Sequence, residues 1–299
     1  MLGKECSDHP DEFNASRLFA DAWRKLEAGG PKPVHIRDVF EIPYGEFQDM
    51  VRNVDAQAAE RLARSFYEGD GYILKGTCDL EFLKTLKDGA MQFSEDRPST
   101  FHKMFDGCPD FHRLIDGETT KQYYADALRH VFFFFPWNDD PLNMMSEIYQ
   151  RWQTFKVFSG RPPDTFSTNI PSDGVIDRFH IYHYPSGGGS LETHSDPVKN
   201  QRTIMAGMMS KRGVDYEKGG FYFVRPDGSM LDCEPQLDVG DFVCCYPSVL
   251  HGVEAVDPQS GLDWNPDKGR WFVGLYSVDS DHVQERDTIS GLSRVSATG

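Results

Sequence analysis

An α+β fold is predicted, with a helical amino-terminal half and a carboxy-terminal half folded as an antiparallel β-sandwich or barrel. Three observations carry this expectation. Through roughly the first 170 positions, apolar residues recur at helical spacing behind capping residues. Around Pro162-Pro163 the texture changes. From Asp177 onward, short β-rich runs follow one another at residues 178–184, 202–209, 220–224, 242–246 and 271–277, separated by Gly, Pro and Asp turns with no helices between them. The 299 residues are read as a single domain: about 1–170 a mainly helical support, about 171–280 the β core, and 281–299 a polar, loosely held tail.

The elements of the first half follow in order. Asn14 or Ser16 is positioned to cap a helix carrying Leu18, Phe19, Ala22, Trp23 and Leu26 on one face, stopped by Gly29-Gly30. Asp55 precedes a second helical pattern of Ala59, Leu62, Ala63 and Phe66. Gly71 to Gly76 encloses a short strand, and Asp79 then caps a helix with Leu80, Leu83, Leu86 and Ala90. Thr119 or Thr120 is expected to open another helix through Tyr124, Leu128 and Val131. Asp140-Pro141 is expected to start the last, carrying Leu142, Met145, Ile148, Trp152 and Phe155, with proline at its first position. The aromatic stripes are read as helical core packing.

Composition excludes several classes of function. Lys and Arg total 31 against 47 Asp and Glu, a net charge of −16. Such a chain does not suit the phosphate backbone of nucleic acid, and it is repelled by an anionic membrane surface. The longest apolar run, Val131 to Phe135, is too short to span a bilayer, and Met1 to Phe13 lacks the basic start and apolar stretch of a signal peptide. A cytoplasmic, soluble protein is expected. The six cysteines are scattered apart from Cys244-Cys245 and show no CxxC spacing, which points to reduced, buried thiols.

One constellation carries chemistry. Glu192-Thr193-His194-Ser195-Asp196 places a His-x-Asp pair at a strand end after the loop 185–190, and His251 follows a further strand run and the turn Pro247-Ser248. Two imidazoles and a carboxylate can occupy one face of an octahedral metal and leave three positions open, as in non-haem Fe(II) oxygenases. A second His-x-Asp, His9-Pro10-Asp11, sits in a polar stretch read as a surface loop. What sets the first apart is its neighbourhood. On an alternating strand Arg178, His180, Tyr182 and Tyr184 share one face, opposite Phe179 and Ile181, which suits the wall of a cavity holding a polar ligand.

With these residues in view, the chain resembles the Fe(II)/2-oxoglutarate-dependent dioxygenases, in particular their prolyl-hydroxylase-like branch. The landmarks run in order: Tyr184-Pro185-Ser186-Gly187-Gly188-Gly189, His194-Ser195-Asp196, Arg202-Thr203, Lys218-Gly219-Gly220-Phe221, Pro235 to Gly240-Asp241, His251-Gly252-Val253 and Gly269-Arg270-Trp271. The resemblance covers about a third of the chain. It implies a double-stranded β-helix (jelly-roll, cupin-like) barrel with the helical half packed around it. It also implies that His194, Asp196 and His251 hold Fe(II), with 2-oxoglutarate and O2 as co-substrates and ascorbate as a candidate reductant. Arg270 is implied for the distal carboxylate of 2-oxoglutarate, a role suited to a planar, permanently charged guanidinium. Tyr184, with Tyr182 on the same face, falls where the family places co-substrate tyrosines. Gly219-Gly220 is expected as a tight turn, and Asp241 as the start of the strand leading toward His251.

Two departures qualify the correspondence. Arg270 lies beyond an inserted turn, Asp257 to Lys268, farther from His251 than is usual for the family, which leaves Arg202 as a reserve anchor for the co-substrate. Met208 and Met209 stand where relatives present another tyrosine. Asp196 fills the position that iron halogenases leave small, so hydroxylation of an unactivated C–H bond with release of succinate and CO2 is expected over chlorination. Desaturation or cyclisation shares the same first step, and a small molecule is favoured over a protein side chain as substrate. A metal-binding cupin-like protein without oxidation, or a zinc hydrolase, uses the same triad but has no need of Arg270. Of the remaining histidines, His180 is read as a substrate or supporting group, His183 as facing away from it, and His102, His112 and His130 as surface or capping residues. Arg178 suits an anionic substrate group or a surface pair with Asp177 or Asp173 in equal measure.

Overall fold

The structure, a computed structural model, describes residues 10–122 and 125–291. In chain order the first half contains α1 (Pro10–Ala28), β1 (Val39–Pro43), α2 (Tyr44–Arg52), α3 (Ala56–Tyr67), β2 (Gly71–Lys75), α4 (Leu80–Glu95), β3 (Phe111–Ile115), β4 (Ala127–Phe134) and α5 (Met144–Phe158). The second half contains β5 (Val175–Tyr184), β6 (Gly189–Ser195), β7 (Ile204–Met208), β8 (Gly220–Val224), β9 (Met230–Asp232), β10 (Phe242–Cys245), β11 (His251–Val256), β12 (Arg270–Asp279) and β13 (Ser290–Gly291).

The strands form two layers. One runs β1-β2-β10-β7-β12-β5-β4 with β3 on the outside of β4; the other runs β6-β11-β8-β9 with β13 added to β6. Strand β4 joins them, because Ala127 and Leu128 pair with β6 while the rest of the strand pairs with β5 and β3. All pairings are antiparallel except β1 with β2. Residues from β5, β7 and β12 of one layer and from β6, β8 and β11 of the other line a common cavity of about 330 Å³. This is the jelly-roll arrangement expected of the β half.

The helices form where their capping chemistry and apolar spacing agree. Asp55 accepts from the Ala58 amide at 2.7 Å and Asp79 from the Phe82 amide at 3.1 Å, as anticipated for the starts of α3 and α4. The buried faces of α1, α2 and α3 converge on Phe158 at the end of α5, with the rings of Phe19, Trp23, Phe47 and Phe66 between 4.6 and 5.8 Å from it. Trp23 donates its indole N–H to the Phe158 carbonyl at 2.7 Å, satisfying a carbonyl at the end of α5. Cys78, Cys108, Cys233, Cys244 and Cys245 are buried free thiols; Cys6 lies outside the described residues.

Several sequence expectations are corrected. The helix expected from Thr119 through Val131 does not form: Thr119–Gln122 is one 3-10 turn, Ala127–Phe134 is a strand, and Tyr124 lies outside the described residues. The aromatic run is buried on both faces of β4, where pleated packing outweighs helical spacing. Helix α1 begins before Asn14 and Ser16, and α5 begins at Met144. Pro141 therefore stands outside α5, but Asp140 still caps it, accepting from the amides of Met144 (2.8 Å) and Met145 (2.7 Å). The carboxy-terminal segment is not loose through residue 291: residues 281 and 286–289 line the cavity, and Ser290 and Gly291 pair with Ser195 and His194. Residues 292–299 and the decoy His9 lie outside the described residues.

A buried charge cluster ties the helices to the β-layer. Lys156 of α5 pairs with Asp177 of β5, which also accepts from Tyr149 (2.8 Å) and Ser277 (2.7 Å). Lys156 and Asp177 are 3% and 0% exposed. Burial pulls the Lys156 amine down to about 8 despite its partner. Lys156→Met strands a buried carboxylate, so urea denaturation should show a loss of about 3 kcal/mol; a loss near zero would show that the pair contributes nothing net.

Candidate metal centre and adjoining cavity

Strands β6 and β11 set His194 directly opposite His251 in the antiparallel register. Asp196 follows one residue beyond β6, held there by its own amide, which donates to the Pro247 carbonyl at 2.9 Å. The ligand atoms of His194, Asp196 and His251 all lie within 4.8 Å of one another, and all three side chains are buried or nearly so. His194 Nδ1 sits 2.9 Å from the Glu192 carbonyl and His251 Nδ1 2.8 Å from the Val249 carbonyl. A carbonyl can only accept, so Nδ1 carries a proton in each ring, and it is Nε2 of the neutral ring that offers a lone pair to a metal.

His251 Nε2 and Asp196 Oδ2 face each other at 3.3 Å, a contact that either a proton on that nitrogen or a cation shared by the two satisfies. Burial, with His251 alongside, pushes the His194 imidazole down to about 4, so it stays neutral. Two imidazoles and one carboxylate on one wall of a cavity fit a divalent metal such as Fe(II), with ligand positions left toward the cavity.

Arg270 opens β12 opposite Tyr184, the last residue of β5. It is 1% exposed. Its Nε donates to Glu234 Oε1 at 2.6 Å and its Nη2 to Met208 Sδ at 3.1 Å, while Nη1 is buried without a partner among the described residues. Glu234 is itself fixed by the Phe221 amide (2.6 Å) and the Tyr216 hydroxyl (2.5 Å). The guanidinium, on a residue that lines the cavity, is thus held through Nε and Nη2. Met208 offers Arg270 a weak sulfur acceptor. The turn Gly219-Gly220 makes room for this group: at Gly220, φ +120°, a Cβ would stand 2.2 Å from Glu234 Cγ.

Arg202, the reserve anchor, does not reach the cavity. It pairs with Glu27 of α1 and donates Nη1 to the Val198 carbonyl at 2.8 Å. Its position before β7 directs it toward the helical layer. Asp241 likewise serves structure, accepting from the Gly76 amide at 2.9 Å and pairing with Lys75.

Arg178, His180, Tyr182 and Tyr184 all line the cavity, as the alternation of β5 predicts. Arg178 pairs with neither Asp177, which Lys156 holds, nor Asp173, which accepts from the Ile170 amide. His183 points to the other face, stacked on Trp271 at 4.4 Å. His112 and His130 are corrected from surface roles: they lie on β3 and β4, buried and hydrogen-bonded to each other at 2.8 Å. His102 is exposed at the rim. Sequence reasoning missed Arg129, whose Nη1 donates to the Tyr184 hydroxyl at 3.2 Å, and Arg113, also on the cavity wall. The signal for Arg129 is the alternation Arg129, Val131, Phe133, visible once β4 is read as a strand.

No protein-family model matches the sequence, and no curated protein matches it. Solved structures do. A full-length Neurospora crassa protein, crystallised in complex with alpha-KG and thymine, is 12% identical over 91% of this chain and 99% of that one, with a TM-score of 0.50. A Pseudomonas putida prolyl-4-hydroxylase is 10% identical over 73% of this chain and 96% of that one, TM-score 0.44. SnoN, a non-heme alpha-ketoglutarate-dependent epimerase of nogalamycin biosynthesis, is 13% identical over 75% of this chain and 84% of that one, TM-score 0.43. At these identities the likeness is one of fold.

Metal binding is directly measurable. Titration with Mn(II), followed by electron paramagnetic resonance, should show a single tight site in the wild type, and Asp196→Ala should weaken it by about a hundredfold or more. Retention of that site in Asp196→Ala would remove the carboxylate from the ligand set. Gly220→Ala should lower the melting temperature by several degrees through the collision with Glu234, on the order of 1–3 kcal/mol.

Proposed function

We propose that the chain is an Fe(II)- and 2-oxoglutarate-dependent oxygenase that hydroxylates an unactivated C–H bond of a small molecule, releasing succinate and CO2. The observation that carries the reading is the buried guanidinium of Arg270, which lines the same cavity as the His194, Asp196 and His251 triad and whose Nη1 has no partner among the described residues. A triad alone suits several metal functions. A preorganised cation beside it suits a co-substrate with a second carboxylate, and a hydrolase or a plain metal-binding barrel has no use for one.

In this reading His194, Asp196 and His251 hold Fe(II). Arg270 and the Tyr184 hydroxyl take the distal carboxylate of 2-oxoglutarate, with Glu234 setting the guanidinium plane so that little is lost on binding. Bound there, Fe(II) with 2-oxoglutarate and O2 supplies the oxidising power for hydrogen abstraction. The chain's own work is positioning and exclusion of water. Tyr182 and Tyr184 stack on Phe272, at 4.3 and 5.8 Å, and make a rigid aromatic wall. A cavity of about 330 Å³ between the two layers suits a small molecule rather than a folded partner.

The test is spectroscopic and chemical. Under anaerobic conditions with Fe(II), 2-oxoglutarate should produce the weak visible charge-transfer band of its chelate, and admission of O2 should yield succinate. His194→Ala should abolish the band. Arg270→Met should keep it but raise the 2-oxoglutarate Kd by roughly ten- to a hundredfold, the worth of a charge-assisted hydrogen bond of about 1.5–3 kcal/mol. Absence of both band and succinate in the wild type would rule the oxygenase out.

A further inference from the structure

The cavity is cationic in a strongly acidic protein. Its walls carry Arg113, Arg129, Arg178, Arg270, Arg286 and Lys103, against Asp196, Asp281 and Asp287. Several of these are held by one another or by the site already described. Asp196 belongs to the metal triad and Arg270 to Glu234; Asp281 pairs with Arg286 and accepts from the Met104 amide. Arg129 lies on the Tyr182 ring and bonds Tyr184. Asp287 is set in the carboxy-terminal segment, its amide donating to Asp279.

A further group gathers around one ring. The guanidinium carbons of Arg113 and Arg178 lie 5.4 and 5.2 Å from the centre of Phe133, and the His180 ring stands edge-on to the same ring at 4.6 Å. Three different strands, β3, β4 and β5, are needed to bring them together. Arg113 is steadied by its Nε, which donates to the Thr100 carbonyl at 3.3 Å. Arg178 donates Nη1 to the thioether of Met104 at 3.2 Å, and its buried Nε has no partner among the described residues. His180, 3% exposed, also has a partnerless buried Nε2. The Tyr182 hydroxyl is hydrogen-bonded to His180 Nδ1. Where the Tyr182 hydroxyl donates to Nδ1, the ring's proton sits on Nε2 as a further donor. Buried donors without acceptors are costly, so those of Arg178 and His180, set around one apolar ring, mark a place built for an acceptor that arrives with a ligand.

We infer that Arg113, Arg178 and His180, grouped about Phe133, form an oxyanion site that binds the carboxylate or phosphate of the small-molecule substrate. The inference rests on the oxygenase reading for the word substrate, and on the cavity itself for the anion. The flanking rings of Phe101 and Phe111, 4.0 and 5.3 Å from the Arg113 guanidinium carbon, hold the arginine flat and offer the ligand an apolar neighbour. Burial, and then the mutual repulsion of the arginines, lowers the Arg113 guanidinium to about 10, a tension that an incoming anion relieves. This site is separate from the Nη1 edge of Arg270, so co-substrate and substrate anions have different receptors in one cavity.

The test uses protein loaded anaerobically with Fe(II) and saturating 2-oxoglutarate, titrated calorimetrically with phenylacetate, phenyl phosphate and phenylacetamide. At least one anion should bind tenfold or more tightly than the isosteric amide, and which of the two does so identifies the oxyanion. Arg178→Met should erase that preference, and Arg178→Lys should keep part of it, while the visible 2-oxoglutarate band persists in both. Exposed Arg24→Met should retain the full preference. Equal binding of amide and anions, or a preference untouched by Arg178→Met and Arg113→Met, overturns the inference while an intact band leaves the oxygenase reading standing. An Arg178-dependent preference measured where the band never forms supports the site and overturns the oxygenase reading instead.

Discussion

Strand β5 cannot slip by one residue, and the rest of the molecule depends on that. Asp177 and Arg178 are neighbours in the chain and point into opposite environments. Asp177 faces the helical layer, where Lys156, Tyr149 and Ser277 meet it; Arg178 faces the cavity. A shift of one position would bring Arg178 against Lys156 and turn a carboxylate into the arginine-lined interior. Both faces of the strand are therefore specified by charge as well as by apolar pattern. The same register sets Tyr184 opposite Arg270 through the long pairing with β12, and His180 opposite Phe133 through β4.

Net charge describes the outside of this protein and misleads about its inside. A formal −16 argues against polyanionic partners, and that argument concerns the solvated surface. Within the cavity the sign reverses. Buried cations of this kind are tolerated because each lies against a carboxylate, a hydroxyl or an aromatic face: Arg270 on Glu234, Arg129 on Tyr184 and Tyr182, Arg113 on Phe101 and Phe111. The partnerless donors of Arg178, His180 and Arg270 belong to residues on the cavity wall, which is where a ligand supplies the acceptors.

The parts of the site that were legible in the chain are those whose geometry is local. His194 and Asp196 are two residues apart across a strand end, and the four inward residues of β5 follow from alternation alone. Arg270 follows His251 in the chain across the inserted turn and lines the same cavity as the triad. Arg129 is hidden in the sequence because the apolar residues of β4 also fit helical spacing, and only burial on both faces decides between the two. Glu234 and Tyr216 were hidden for another reason. Nothing in their neighbourhood distinguishes them from surface residues until the chain brings them to Arg270, 36 positions beyond Glu234.

By itself, then, the chain determined the α+β division, the inward face of β5, and the identity of a metal-capable triad, because each is written in local spacings and textures. The tertiary structure alone decided that His194 opposes His251 in register, that Arg202 turns to Glu27 rather than the cavity, and that residues 281–291 close over the site instead of trailing from it. Those outcomes depend on pairings between segments far apart in sequence, where the free energy of one contact is set by which others form with it. The cationic interior belongs to the same class. Arg113, Arg178 and His180 are ordinary residues, Arg113 on one strand and the other two on another, and only the stacking of those strands around Phe133 makes them one site.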